Sequence, residues 1–276
     1  MIRSLSSESS APTPISGSDK RSRRMLRILE LLGEHGQLSV QELVEKLLIS
    51  PATARRDLSD LDRQGLLLRT SGGAQGNPSM TEVPVHLRVG KSQVSKQRIA
   101  QRAAALLPPG PYAIAIGGGT TAAAVAHGLV ERQQLTIVTN SLSTANEISM
   151  LPNLRVIMTG GIVRSSSYEL VGRLAEQTFS AVNIGTAVLG ADGVSLKGGI
   201  TTHDEVEART NAAMIRSAER TIVVADSSKI GRATFAQVAE VGEIDDLVTD
   251  DGVDLEVIDE LRSAGVRLHV ITTTAG

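Results

Sequence analysis

Two short helical segments joined by a tight turn, between Ser39 and Arg63, limit the fold of the N-terminal part more than any other pattern in the sequence. The second segment has a clear start, because the Ser50 hydroxyl can accept a hydrogen bond from a free amide of the first helical turn. Pro51 follows at the first helical position, where its missing N–H costs nothing. The residues that then recur at helical spacing, and predict a narrow buried face, are Ala54, Leu58 and Leu61.

The opposite side of this helix is polar and cationic. At about 100° per residue, the outward positions are Ala52, Arg56, Ser59 and Arg63, with Thr53 and Arg55 on the flanks. Guanidinium, hydroxyl and methyl groups therefore lie near the helix N-terminus, as they do in a recognition helix that lies in the major groove of DNA. This face, together with Ser50, predicts a DNA-binding surface.

The neighbouring segments predict the rest of a winged helix-turn-helix over residues 21–76. Helices over about residues 23–34 and 40–47 turn leucines inward, residues 66–69 form a strand pattern, and residues 71–73 would form the tip of a basic wing. The DNA contacts predicted in the wing are Arg69, Gly72 and Gly73. The alternative is a small helical bundle with a solvated charged face. Because the caps, the spacing, the turn length and the wing agree, we favour DNA binding.

This segment resembles the N-terminal winged helix-turn-helix of the DeoR family of bacterial transcription regulators. The family pattern has an Arg-Arg-Asp-Leu core, a Gly-Leu turn and an Arg-x-x-Gly-Gly-Ala wing. The matching residues are Arg55, Arg56, Asp57 and Leu58, then Gly65 and Leu66, then Arg69, Gly72, Gly73 and Ala74. The departures, at Ala54 and at residues 70–71, bear on base preference rather than on the mode of binding.

The charge distribution is consistent with phosphate contacts at one end of the molecule. Residues 1–76 carry 11 Lys and Arg against 9 Asp and Glu, whereas the remainder carries 17 against 21, for a net charge of −2. A mildly basic head on an acidic body suits a protein that touches double-stranded DNA through one domain.

Composition argues against several other classes of protein. The chain has no cysteine, which excludes disulfides and thiolate metal sites and is typical of the cytoplasm. Its 5 histidines form no metal-binding motif, and we predict no metal and no cofactor. Aromatic residues make up 1% of the chain, too few for a base-stacking platform. No apolar run approaches the roughly 20 residues that cross a membrane. Residues 1–20, rich in Ser and Pro, predict a disordered segment.

Beyond the wing, residues 77–91 contain Asn77-Pro78 and Val83-Pro84 and predict a linker or a crossing segment. Over residues 92–276, short Val- and Ile-rich runs alternate with helical patterns, which is typical of an α/β domain with a mainly parallel sheet covered on both faces. The predicted strands are 112–116, 135–139, 154–158, 186–189, 221–225, 246–248 and 268–272. The predicted helices are 92–107, 121–131, 142–150, 172–182, 204–216 and 255–264.

The loops after these strands are rich in Gly, Thr, Ser and Asn, and ligands of open α/β sheets bind beyond the carboxyl ends of the strands. Glycine lets backbone amides approach a ligand, and a helix N-terminus supplies positive partial charge. Each loop alone could be a plain strand-to-helix turn, but together they predict a cradle for a phosphate and a polyol. The candidates from these loops include Gly118, Ser141, Gly160, Gly161, Lys197 and Thr201.

Two nucleotide-binding patterns are incomplete here. Gly117, Gly119 and Ala122 fit G-x-G-x-x-A, but Thr139 and Asn140 stand where an acidic residue would hold the ribose of a dinucleotide. A P-loop needs Gly-Lys-Ser/Thr after its glycines, and no lysine follows here. We therefore predict neither NAD binding nor hydrolysis of a nucleoside triphosphate at this loop.

The second half also resembles the DeoR family, through its GGGTT, VTNSL, GADG, GGITT and DSSK sequences, and the resemblance runs from about Arg23 to Thr273. It implies an effector domain similar in fold to ribose-5-phosphate isomerase, with phosphorylated sugars or related phosphates as effectors. The effector-binding residues that the resemblance implies are Gly119, Thr120, Thr121, Asn140, Asp192 and Lys229. In the family an Asp often precedes the Gly-Thr-Thr, whereas here that place holds Gly118.

A sugar-phosphate isomerase with a DNA-binding appendage is the rival hypothesis. Isomerisation needs a positioned base and groups that stabilise an oxyanion, for which Asp192, Lys197, Glu205 and Glu207 are available. Glu205 and Glu207 could equally lie in the solvated first turn of a helix, where they favour the helix dipole. In the isomerases that this region resembles, an acidic residue follows Gly-Ala-Asp, whereas here it is Gly193, and we therefore predict binding without turnover.

We interpret the chain as a sequence-specific DNA-binding regulator, and as a repressor rather than an activator, of a carbohydrate catabolic operon. A phosphorylated sugar would control it by shifting a population between conformations. We expect a homo-oligomer, either a dimer or a tetramer, so that two winged heads read paired half-sites.

Overall fold

The computed structural model describes residues 17–80, 82–89 and 91–273. The chain divides into two compact units, with the boundary between Asn77 and Pro78. Each unit has its own buried core, and the fold class predicted from the sequence, a small helix-turn-helix domain followed by an α/β domain, is confirmed.

The first unit is a winged helix-turn-helix. Its helices are α1 (Gly17–His35), α2 (Val40–Leu47) and α3 (Pro51–Arg63). Its strands are β1 (Gln37–Ser39), β2 (Leu67–Arg69) and β3 (Gly73–Gly76), and they form an antiparallel sheet in the order β1-β3-β2. Ser39 and Glu42 close a reciprocal capping box at the start of α2. Ser50 caps α3 through the amide of Thr53, as its position before Pro51 predicts.

The first helix begins earlier than its sequence pattern suggests. Helix α1 starts at Gly17, so the assignment of residues 17–20 to a disordered segment is wrong, while residues 1–16 of that predicted segment lie outside the described residues. The leucines predicted to face inward are buried, with exposed fractions of 7% for Leu26, 5% for Leu29 and 2% for Leu32. Strand β1 is not predicted from the sequence, because three residues are too few to show a periodicity.

The second unit contains a seven-stranded parallel sheet. In chain order its strands are β4 (Tyr112–Ile116), β5 (Leu135–Thr139), β6 (Leu154–Met158), β9 (Ile184–Gly190), β12 (Ala218–Val224), β14 (Asp246–Asp250) and β15 (Arg267–Ile271). They lie in the order β15-β14-β12-β9-β4-β5-β6, so the chain reverses its winding between β4 and β9. All seven strands coincide with or overlap the predicted ones.

Helices cover both faces of this sheet. They are α4 (Val85–Arg88), α5 (Gln93–Ala105), α6 (Thr120–Gly128), α7 (Leu142–Ile148), α8 (Arg173–Ser180), α9 (Glu205–Arg216) and α10 (Leu255–Ser263). One apolar cluster includes Ile99 of α5 and Val125 of α6. A second cluster, which includes Phe179 of α8 and Met214 of α9, is separate from the first. Burial on both faces explains why the strands are continuous apolar runs in the sequence.

Two small antiparallel elements at the carboxyl edge of the large sheet are absent from the sequence prediction. One is a hairpin of β7 (Ile162–Arg164) and β8 (Glu169–Val171). The other is a sheet of β10 (Gly193–Ser195), β11 (Gly199–Thr202) and β13 (Ala236–Ala239). Strands of three or four residues carry too little periodicity to be distinguished from loops.

The predicted linker over residues 77–91 is largely part of the second unit. Val85 and Leu87 of α4 are buried, and the amide of Val85 donates to the Ser166 carbonyl oxygen of the β7–β8 turn at 2.8 Å. The prolines at 78 and 84 suggest an open connection, but two apolar side chains anchor the segment to the α/β domain. For residues 82–89 the structure therefore favours a crossing segment over a linker.

Candidate DNA-binding and effector-binding sites

Helix α3 presents the cationic face that its spacing predicts. Ala54, Leu58 and Leu61 are fully buried, and the Ser50 hydroxyl accepts the Thr53 amide at 3.1 Å. Thr53 is half-buried. The exposed positions are Ser50, Ala52, Arg55, Arg56, Ser59 and Arg63. The helix therefore offers a row of donors to solvent from its first turn to its last.

The wing is tied to this helix by Arg69. Its guanidinium donates to the Ser59 hydroxyl at 2.9 Å and to the Arg55 carbonyl oxygen at 3.2 Å. Gly72 at the tip is exposed, but Gly73 is buried. A Cβ atom at Gly73 would lie 2.0 Å from the Leu38 carbonyl oxygen, so β3 can approach β1 only because residue 73 is glycine. The prediction that Gly73 faces DNA is therefore wrong, and its role is packing.

Asp57 is the residue of this domain whose role sequence reasoning missed. Its carboxylate is 1% exposed and accepts from Arg24 of α1, at 2.5 Å from Nε and 3.1 Å from Nη2. Such a two-point ion pair fixes the angle between the donor and acceptor groups as well as their distance. Asp57 lies between Ala54 and Leu61 on the buried stripe, and a carboxylate there requires a partner. That spacing was a signal that could have predicted the pair.

The second site lies at the carboxyl edge of the large sheet, and its centre is Glu169 of β8. Its carboxylate is 3% exposed and accepts from the Gly118 amide at 2.8 Å and from the Asn140 side-chain amide at 3.4 Å. Burial raises the pKa of Glu169. A Cβ atom at Gly118 would lie 2.3 Å from the Glu169 carboxyl carbon, so this glycine makes room for a carboxylate from elsewhere in the chain.

Glu207 of α9 continues the network from Glu169. It accepts from the Thr202 hydroxyl, and Arg164 of β7 lies 3.0 Å from its other oxygen. Burial and the neighbouring Glu169 raise the pKa of Glu207 well above its usual range. Sequence reasoning considered Glu207 as a group for isomerisation or as part of a solvated first helical turn, and its burial contradicts the second interpretation. Sequence reasoning did not consider Glu169. Two buried carboxyl groups side by side can share protons and hydrogen-bond to hydroxyl groups.

Asp192 joins the network from the other side. Its carboxylate lies 2.8 Å from Arg88 of α4, 3.2 Å from the Lys229 ammonium group and 3.4 Å from the Thr202 hydroxyl. Burial alone would raise the pKa of Asp192, but the charges of Arg88 and Lys229 outweigh it and leave the pKa lowered. Arg88 also contacts Glu82 at 2.6 Å, and both residues lie in the segment predicted as a linker.

A cavity of about 540 Å³ adjoins this network. Gly119 and Thr120 line it at the start of α6, a helix whose first turn no described side chain caps. Lys96 of α5 also lines it and is 7% exposed, and its ammonium group donates to the Arg88 carbonyl oxygen at 3.1 Å. Burial lowers the pKa of Lys96 to about 8. Lys96 therefore connects the cavity to the residues around Asp192, and sequence reasoning missed it.

The structure brings only part of the predicted set to this site. Gly118, Asn140, Asp192 and Lys229 share the hydrogen-bonded network, and Gly119 and Thr120 line the cavity. Thr121 is buried in the first turn of α6.

Five other candidates have different surroundings. Thr201 is buried and engaged, since its hydroxyl donates to the Gly193 carbonyl oxygen and accepts the Thr234 amide. Ser141 caps α7, while Gly161 adopts a positive φ and packs on the Val171 backbone. The two exposed residues are Lys197, at the far end of the β10–β11 hairpin from Asp192, and Gly160, beside Leu174. Lys197 therefore lies away from the network, and the assignment of the five as effector ligands stays a prediction.

The described residues include neither a metal-binding group nor a helix that could cross a membrane. They contain no group of three or more acidic or histidine side chains arranged to hold a metal ion. No helix among them combines the length and apolar character needed to cross a membrane.

Two family models match the chain. A DeoR-like helix-turn-helix domain matches residues 24–79, and the DeoR C-terminal sensor domain matches residues 91–251. The first match ends two residues beyond the boundary between the two units, and the second match lies within the second unit.

Several named proteins are similar to the chain over most of its length. The glycerol-3-phosphate regulon repressor of Escherichia coli K12 is 34% identical over 251 residues, which cover 91% of this chain and 99% of that protein. The transcriptional regulator GlpR of Haloferax volcanii is 36% identical, with 88% and 95% covered. The transcriptional repressor AccR of Agrobacterium fabrum is 34% identical, with 83% and 89% covered.

Solved structures resemble the chain more distantly. Ribose 5-phosphate isomerase A of Methanocaldococcus jannaschii is 18% identical and has a TM-score of 0.36, with 49% of this chain and 52% of that chain covered. A likeness of this size carries no conclusion about function.

Proposed function

The chain belongs to the DeoR family of transcription regulators, and from that premise we propose that it represses a carbohydrate catabolic operon under the control of a phosphorylated sugar or polyol. The family makes it a DNA-binding regulator rather than an enzyme. The rival hypothesis, a sugar-phosphate isomerase with a DNA-binding appendage, is therefore set aside.

One observation carries the choice of effector, namely that the site offers cationic groups and hydroxyl-binding groups side by side. Lys96 and the uncapped start of α6 line one cavity, where a phosphate would meet an ammonium group and free backbone amides. Glu169, Glu207 and Asn140 are buried acceptors of the adjoining network, and Glu169 accepts from the amide of Gly118, the residue before Gly119. A phosphorylated polyol has both kinds of partner in one molecule.

Two polar atoms of the site support this proposal. The Asn140 side-chain oxygen and Arg88 Nε are buried and have no hydrogen-bond partner within the part of the chain that the structure describes. Buried polar groups are normally paired, because an unpaired one costs about 1–3 kcal/mol. A ligand with hydroxyl and phosphate oxygens would satisfy both atoms.

The proposed operator is a duplex with paired half-sites, read by the winged domains of a homo-oligomer. Arg56 and Arg55 would reach base edges from α3, and Arg63 and Arg69 would contact phosphates. An operator can be selected from random duplexes by the full chain and then titrated in a gel-shift assay. If a duplex that carries only one half-site gave a complex of the same size as the full operator does, that result would argue against the paired arrangement.

A thermal-shift screen of the full chain tests the choice of effector. The panel contains glycerol 3-phosphate, ribose 5-phosphate and other phosphorylated sugars, each beside its unphosphorylated form. We expect a phosphorylated compound alone to raise the melting temperature and to release the operator. Lys229→Ala should blunt that release while leaving the affinity for DNA unchanged. Lys197→Ala is the matched control, and equal responses in the two variants would remove Lys229 from the site.

A further inference from the structure

The segment of residues 82–88, which follows the DNA-binding domain, is built into the effector site. Glu82 and Arg88 reach the residues around Asp192 although they lie six and twelve residues after Gly76, where the wing ends. We infer that Arg88 contacts the bound effector, and that Glu82 transmits occupancy of the site to the connection with the DNA-binding domain. This inference rests on the proposed function of the site.

The surroundings of Arg88 favour an anionic ligand. Its guanidinium, 19% exposed, lies between Glu82 at 2.6 Å and Asp192 at 2.8 Å, and Lys229 shares the same oxygen of Asp192 at 3.2 Å. The buried Lys96 ammonium lies against the Arg88 carbonyl oxygen. Asp192 therefore neutralises two cations at once, and a phosphate dianion could replace it at either of them. Arginine suits this exchange, because its planar group binds phosphate at two points.

Glu82 connects this exchange to a second arginine. Its side chain is 6% exposed, and its two oxygens divide between Arg88, at 2.6 Å, and Arg164 of β7, at 2.5 Å. Arg164 in turn lies 3.0 Å from Glu207 and 3.5 Å from Asp204. A ligand that draws Arg88 toward itself therefore weakens one ion pair of Glu82. A ligand that draws Glu207 toward itself acts on the other ion pair of Glu82, through Arg164.

The segment has few other polar attachments to the α/β domain among the described residues. Apart from the Val85 amide on the Ser166 carbonyl oxygen and the Lys96 ammonium group on the Arg88 carbonyl oxygen, the hydrogen bonds that the structure gives it to the rest of this domain are the ion pairs of Glu82 and Arg88. Buried ion pairs are sensitive to the loss of one partner, because the other is left charged and unpaired. Occupancy of the site would thus shift the segment between two arrangements. Its first residue, Glu82, lies six positions after Gly76, the last residue of strand β3.

Full-chain variants separate binding from transmission. The ligand is the panel compound that most raises the melting temperature of the unmodified protein. Arg88→Gln should weaken its binding at least about tenfold by calorimetry, since a charge-assisted contact is lost. Glu82→Gln should release operator DNA less completely than the unmodified protein even when the compound saturates each of them. Glu176→Gln, which removes the exposed contact with Arg209 at 3.9 Å, is the matched control and should respond normally.

A second measurement needs no variant and therefore does not depend on whether Glu82→Gln folds. Hydrogen exchange of the unmodified chain, with and without the compound, should change in peptides that cover residues 82–89. Unchanged exchange there, full release by Glu82→Gln or undiminished binding by Arg88→Gln would each overturn the inference while leaving the proposed function in place. If no panel compound raises the melting temperature, the proposed function fails and this inference fails with it.

Discussion

Arg24 and Asp57 form a two-point ion pair that joins helix α1 to the recognition helix α3, with N–O distances of 2.5 and 3.1 Å. The carboxylate is 1% exposed, and its hydrogen bond raises the pKa of the Arg24 guanidinium against the effect of burial. Arg56 is exposed, whereas the pair lies on the buried side of α3. It sets the position of the helix without occupying the surface that DNA would use.

Asp57→Asn should loosen the DNA-binding domain. The amide cannot accept two charged hydrogen bonds, so we expect a loss of about 1–3 kcal/mol in the free energy of local unfolding. Hydrogen exchange of the full chain can measure this in peptides of α1 and α3, with residues 91–273 as the internal reference. Glu45→Gln, at an exposed position of α2, is the control. Equal protection in the two variants would show that the ion pair does not stabilise the helix.

Arg56→Ala should weaken binding to the selected operator by about 1–3 kcal/mol, if its guanidinium contacts a base edge. The substitution should also relax base preference at one position of each half-site. Arg63→Ala should instead weaken binding to all sequences alike and reduce the salt slope by about 1, because a phosphate contact is lost. Gel-shift titrations at several salt concentrations distinguish the two results. Identical behaviour of the two variants would contradict the placement of Arg56.

Effector binding should weaken as the pH rises through about 8. Burial lowers the pKa of Lys96 to about 8, so its ammonium group loses its charge in that range and no longer attracts a phosphate. Burial also lowers the pKa of His86, which lines the same cavity and therefore stays neutral there. Calorimetric titrations between pH 7 and pH 9.5, about half a unit apart, would measure the decline. Lys96→Arg should bind with little change over the range, and a flat profile for the unmodified chain would exclude Lys96 as a phosphate ligand.

Asp246 should contribute to stability at neutral pH and lose that contribution in acid. It is fully buried at the start of β14 and accepts from Arg220 at 2.7 Å, from Arg267 at 3.1 Å and from His269 at 2.7 Å. Burial alone would raise its pKa, but these hydrogen bonds lower the pKa of Asp246 to about 2. Its stabilising effect is therefore present above about pH 4 and is lost as the pH falls toward 2.

Asp246→Asn should accordingly cost about 1–3 kcal/mol in the free energy of unfolding at pH 7, and less as the pH approaches 2. Denaturant unfolding at pH 7, 5 and 3 measures the difference between the variant and the unmodified chain. Asp259→Asn, at an exposed position of α10, is the control. A cost that stays the same at all three pH values would argue against a role for the charge.

The recognition helix could be predicted because its signals are local. The cap at Ser50, the proline at residue 51 and the apolar spacing each depend on residues no more than four positions apart. All three features are present in the structure. The central strands could be predicted for a related reason. A parallel strand buried on both faces is a short apolar run whatever its neighbours are. In the loops after those strands, composition pointed to Gly118 and the family patterns pointed to Asn140, Asp192 and Lys229. These four residues share one network.

The partners of those residues could not be predicted in this way. Arg88 and Asp192 are 104 positions apart, and Gly118 and Glu169 are 51 apart, so no local pattern relates them. Charged residues in loops have no periodicity. They come together only when the strands assemble into the sheet. The amino-acid order thus determines the helices, the strands and the DNA-facing row, because those depend on neighbours in the chain. The choice of which charges meet in the effector site depends on strand order and on two small sheets, and it arises only when the chain folds.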